Sequence, residues 1–122
     1  MKSLLLAATL MFVASAKLQA TEALIFEGGG YNICILIGMA EHPVVAQVRF
    51  TAPGANEFVQ LPHEQLQIKK FDMDERALDM RFSNQKNDPE LPASFSLSVK
   101  KNKALLSING KKIRSSFDWL DE

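Results

Sequence analysis

The sequence is poor in the residues that build metal centres and disulfide frameworks: one Cys, two His, one Trp and one Tyr among 122 residues. A lone cysteine cannot close a disulfide within one chain, so packing alone must hold the domain. Cys34 lies in Tyr31-Asn32-Ile33-Cys34-Ile35-Leu36-Ile37, too apolar for a loop, with no His or basic side chain beside it in sequence to activate the thiol. It reads as a buried spectator. His42 and His63 each sit beside a proline and a glutamate, and two turn histidines without a Cys pair lack zinc-site spacing. Asp72-x-Asp74-Glu75 lacks the spacing and the glycine of a calcium loop. No spacing selects a Ser–His–Asp triad or a catalytic carboxylate pair. The expectation is a non-enzymatic protein with no cofactor and no metal.

Charge of one sign is also missing, with 14 basic and 14 acidic side chains. The apolar content of 47% is enough for one core and the 23% charge too little for disorder. The one long apolar run, residues 4–13, is about half of what a helix needs to cross a bilayer. It follows Lys2 and precedes Ala14-Ser15-Ala16 and Leu18-Gln19-Ala20, the pattern of a secretory signal peptide. Residues 1–20 are therefore expected to be a cleaved leader and 21–122 a single β-domain, periplasmic or secreted and not membrane-embedded. Cleavage after Ala20 leaves 12 basic and 14 acidic side chains.

Alternation with period two runs along the remainder. Tyr31, Ile33, Ile35 and Ile37 share one face of a strand. Val44, Ala46, Val48 and Phe50 share a face of the next. A turn at Pro53-Gly54-Ala55-Asn56 pairs Phe50 with Val59 and Val48 with Leu61. The stretch 66–83 reads as a hairpin turning at Asp74-Glu75, with Phe71 against Leu78. A bulge at Lys69-Lys70 then sets Ile68 against Met80 and Leu66 against Phe82. Its rival is a short helix over 73–82, rich in good helix formers. After the polar connection 84–92, two turns at Lys101-Asn102 and Asn109-Gly110 define a three-stranded meander. In it Leu97 lies between Val99 and Phe95 on one face, and Leu106 pairs with both Leu97 and Ile113. The fold class is all-β, a small antiparallel β-sandwich or flattened barrel of seven to eight strands.

Two segments stand out as candidate contact sites. Gly28, Gly29, Gly30 and Tyr31 lead into a strand rather than a helix, which argues against a phosphate loop and for a close-approach loop spanning 28–32. Asn84, Lys86, Asn87, Asp88 and Glu90 belong to the one long polar loop. Charge is uneven as well: Lys100, Lys101, Lys103, Lys111, Lys112 and Arg114 occur with no acid between Val99 and Arg114. This run reads either as a solvated hairpin face or as a patch for an acidic partner; without interleaved aromatics it does not read as a nucleic-acid site. Phe117 and Trp119 continue the inward parity of Ile113, which predicts a tail tucked over the sheet.

In size, export and β-content the mature chain resembles small periplasmic inhibitor proteins. These include bacterial lysozyme inhibitors and immunity proteins directed at peptidoglycan-degrading effectors. Some lysozyme inhibitors insert a Ser-Gly-x-Tyr type loop into the enzyme's cleft; Gly28-Gly29-Gly30-Tyr31 has the Gly and the Tyr but no serine. The resemblance implies inhibition of, or immunity to, a muramidase-type cell-wall hydrolase by occlusion of its active-site cleft. A small-ligand-binding or structural module of the cell envelope is the alternative. Exposed edge strands would also allow a homodimer.

Overall fold

In the computed structural model, which describes residues 21–38 and 41–119, every alternating segment becomes a strand. The expected leader, residues 1–20, lies outside the described residues. Strands β1 (Thr21–Gly28), β2 (Tyr31–Gly38), β3 (Val44–Thr51) and β4 (Val59–Gln60) form one antiparallel sheet in that order. A 3-10 turn at His63–Gln65 leads into the second sheet. That sheet comprises β5 (Leu66–Asp72), β6 (Ala77–Phe82), β7 (Phe95–Lys100), β8 (Lys103–Ile108) and β9 (Lys111–Ser116), again in chain order. The sheets are not closed into a barrel; they pack as a sandwich around one apolar cluster.

Among the described residues there are nine strands where seven to eight were expected, and the added one is β1. Its sequence hides it: Ala23-Leu24-Ile25-Phe26 is apolar on both faces and shows no alternation. In the fold Leu24 and Phe26 are buried while Ile25 stays 47% exposed. The pairing Gly28↔Tyr31 turns the glycine stretch into a two-residue hairpin, so the expected 28–32 loop is mostly strand.

The β5–β6 register is the bulged one: Phe71↔Leu78, Ile68↔Met80 and Leu66↔Phe82, with a shift between Ile68 and Lys70. A turn over 73–76 and a strand over Ala77–Phe82 stand where a helix was the rival. Alternation beats local helix propensity here because Leu78, Met80 and Phe82 all reach the core. The meander pairs Leu97↔Leu106 and Leu106↔Ile113 as expected. One parity differs. A bulge takes the β2–β3 register from Leu36↔Gln47 to Ile37↔Val45, so Val45 packs on the core and Val44 is 54% exposed.

Aromatic rings join the two sheets. Tyr31, Phe50, Phe95 and Phe82 run in a chain, with centroid separations of 5.8, 5.4 and 5.6 Å. The Phe50–Phe95 step crosses from β3 to β7, which sets the end of β3 and the start of β7 at the same end of the sandwich. At the other end the tail tucks in as expected. Trp119 meets Phe117 at 5.4 Å and Phe71 at 6.5 Å, and its indole Nε1–H donates to the Lys101 carbonyl at 2.6 Å.

Candidate functional site

The two sequence-predicted segments open from the same end of the sandwich. Tyr31 begins β2 and stacks toward Phe50; Phe95, at the close of the long loop, stacks on Phe50 from the opposite sheet. Asn109, in the β8–β9 turn, donates through Nδ2 to the Tyr31 hydroxyl at 3.5 Å. The order along this rim is the glycine hairpin, the 109–110 turn and the 84–92 loop.

The glycines have specific local causes. Gly29 and Gly30 take φ of 59° and 87°, the left-handed pair that a tight two-residue hairpin needs. A Cβ on Gly29 would lie 2.8 Å from Ile113 Cδ1, and one on Gly28 would lie 3.1 Å from Ile113 Cγ2. The side chain of β9 thus covers the end of β1, and Ser115 Oγ–H donates to the Glu27 carbonyl at 2.6 Å. Gly28 is half-buried against the neighbouring sheet edge, while Gly29 and Gly30 are exposed at the tip. Tyr31 is half-buried, with its hydroxyl toward Asn109.

The 84–92 loop is built around one amide. Asn84 Nδ2 donates to the carbonyls of Asp88 (3.2 Å) and Pro92 (2.9 Å), and its Oδ1 accepts from the Asp88 N–H at 3.0 Å. The Asn84 N–H donates to Ser94 Oγ at 2.8 Å, and Asp88 Oδ1 accepts from the Glu90 N–H at 2.9 Å. Asn84 therefore shapes the loop and is not free for a partner. Lys86, Asn87 and Glu90 are exposed on it, Asn87 in the left-handed region at φ 51°.

Sequence reasoning passed over the loop's anchor. Gln65 is buried to 8% exposure; its side-chain Oε1 accepts from the Gln85 N–H at 3.1 Å and its carbonyl from the Ser83 N–H at 3.0 Å. It lies 20 residues from Gln85, and its neighbours Pro62-His63-Glu64 read only as a strand break. Asn109 and Ser94 were likewise legible only as turn and strand-start residues.

Other residues weighed on sequence fall elsewhere. His42 and His63 are exposed, and no group of three or more His, Cys, Asp or Glu side chains among the described residues is placed to hold a metal ion. Cys34 is a free thiol, half-buried on the outer face of β2 between Ile25 and Arg49 rather than in the core. Strand parity sends Ile33, Ile35 and Ile37 inward and leaves it outside. The six cations of residues 100–114 are all exposed. No helix of the described residues is long and apolar enough to cross a membrane. Compared with known proteins, the chain matches no family model, no curated protein and no solved structure.

Proposed function

We propose that this chain is an exported binding protein that inhibits, or confers immunity to, a muramidase-type peptidoglycan hydrolase by occluding its active-site cleft. The supporting observation is the rim: a tight glycine hairpin and an internally bonded polar loop at one end of a rigid sandwich. A loop held in shape before binding loses less conformational entropy on docking than a free one. Muramidases work with paired carboxylates. The Lys86 ammonium and the Asn87 amide are the donors of the loop tip that such carboxylates would accept. Gly29 and Gly30, without side chains, let the hairpin backbone approach a cleft wall closely.

The alternative, a small-ligand or structural module of the envelope, would take its ligand along one open edge or between the sheets. There Phe26, Phe82, Phe117, Met80 and Leu97 are fully buried in one packed cluster, which gives that reading less support.

The test is inhibition kinetics with the mature protein and the muramidases of its own envelope and secretome. Lys86→Ala with Asn87→Ala is expected to weaken inhibition of the cognate enzyme by at least tenfold, about 1.4 kcal/mol. Inhibition untouched by these changes and by Gly30→Trp would overturn the rim as the site. Absence of inhibition of every muramidase would overturn the function.

A further inference from the structure

The outer face of the five-stranded sheet differs from the rim in place and in chemistry. The cross-strand row Ser98↔Leu105↔Arg114 lies beside the row Lys100↔Lys103↔Ser116. Together they line an open groove of about 730 Å³, with Asn102 at its end and no acidic residue in its lining. That volume lies within the range of small-ligand clefts.

Three features make this more than a solvated face. Lys100 and Lys103 stand directly opposite each other on neighbouring strands, an arrangement that like charges disfavour. Lys101 between them takes φ 59°, a conformation unfavourable for a side chain with a Cβ. The hairpin is nonetheless fixed from behind: Trp119 Nε1–H and the Phe117 N–H donate to the carbonyls of Lys101 and Asn102, at 2.6 and 2.9 Å. Three cations, Lys100, Lys103 and Arg114, thus project from three adjacent strands spaced about 4.8 Å apart, around Leu105 and beside the hydroxyls of Ser98 and Ser116.

We propose that this groove binds a linear polyanionic glycan, a sugar chain carrying phosphate, sulfate or carboxylate groups. Charge complementarity selects an anion. The lining narrows its kind: protein interfaces are enriched in aromatic residues and depleted in Lys and Ser, and this lining holds two lysines, three serines and no aromatic ring. Single-stranded nucleic acid would need aromatic platforms for its bases, and the groove lining holds none. Hydroxyls and ammonium groups suit a chain that is itself hydroxylated and charged. The site is independent of the hydrolase reading, because it uses no residue of the rim.

The experiment is calorimetric titration of the mature protein with a size-defined sulfated glycan, heparin octasaccharide, at about 150 mM salt. A neutral dextran of equal length and a poly-glutamate peptide of equal charge serve as the other arms. Lys100→Ser with Lys103→Ser is expected to weaken heparin binding by at least tenfold. Lys69→Ser with Lys111→Ser, which removes the same charge from outside the groove, is expected to change it by less than twofold. Equal losses in both pairs, no binding at this salt, or equal binding of dextran would overturn the proposal. Tighter binding of poly-glutamate would overturn it in favour of an acidic protein surface. Thermal melts of each variant establish that any loss arises in a folded protein.

Discussion

The two outer faces of this sandwich are made of different material. On the four-stranded sheet the outward residues include Ile25, Cys34, Leu36 and Arg49, with Phe58 stacked under the Arg49 guanidinium at 4.7 Å. On the five-stranded sheet they include Ser96, Ser98, Ser107, Lys100, Lys103, Lys112 and Arg114, with Asp79 and Arg81 on β6 and a single large apolar residue, Leu105, on β7–β9. Burial follows: β2 alternates buried with half-buried, whereas β7 alternates buried with half-buried or exposed serine and lysine. Among the described residues, the three large apolar side chains that stand exposed, Ile25, Val44 and Phe58, belong to the first sheet or the segment leading into β4. One face therefore adds to the apolar burial that stabilises the domain. The other is freed from that task and carries charge, at the expense of a like-charge pair, and depends on the tail for its geometry.

The largest expected effect comes from breaking that dependence. Trp119→Ala removes a buried ring and the indole bond to Lys101, and should cost about 3–4 kcal/mol in urea unfolding. If the tail were incidental, the loss would stay under about 0.5 kcal/mol. Next comes the direct contrast between the faces. Leu36→Ala is expected to cost about 1 kcal/mol, because its half-buried side chain packs outside the first sheet. Ser98→Ala should fall within about 0.5 kcal/mol of zero. Equal effects would erase the distinction.

A smaller effect sharpens it. Gln47 Oε1 and Arg49 Nε are buried on the first face without hydrogen-bond partners. Gln47→Met keeps the volume and removes the unpaired acceptor, so stability should rise by about 0.5–1 kcal/mol; a fall in the denaturation midpoint would mean a partner exists in solution.

The smallest effect concerns the exposed Lys70–Glu75 pair, at 2.9 Å in the β5–β6 hairpin. The hydrogen bond that the Lys70 ammonium donates to Glu75, followed by the negative charge of that carboxylate, holds Lys70 above the usual lysine value. A raised folded-state value means that the pair's contribution is fully present below about pH 10.4. It is lost only as pH climbs through the raised value. Lys70→Met should therefore leave the thermal midpoint near neutral pH almost unchanged and flatten its decline above that pH.

How much of this was legible in the sequence depended on how clean each pattern was. Within the 66–83 hairpin and the 95–116 meander strand registers could be read pair by pair, including the bulge at Lys69-Lys70, because the strand reading that set apolar against apolar outweighed the rival helix over 73–82. β1 was missed because an outward Ile25 removes the alternation that marks a half-buried strand. Its absence turned Gly29-Gly30 into a loop, although Asn109-Gly110, with φ of 53° and 75°, is the same kind of turn and was recognised. The Val44 parity was lost to a bulge that leaves no composition signal. At the rim, the two segments were visible as polar or glycine-rich, but not their internal bonding. Asn84 binds main-chain carbonyls four and eight residues on, and Gln65 reaches across 20 residues. Such contacts depend on the folded path of the chain rather than on residue type.

The occluding rim is tested most directly by amide hydrogen exchange on the mature protein, free and in complex with a muramidase of its own envelope that it inhibits. The account predicts new protection confined to Gly29, Gly30, Tyr31 and residues 85–90, with the outer face of β7–β9 unchanged. Protection on that outer face, with the rim left as in the free protein, would contradict it.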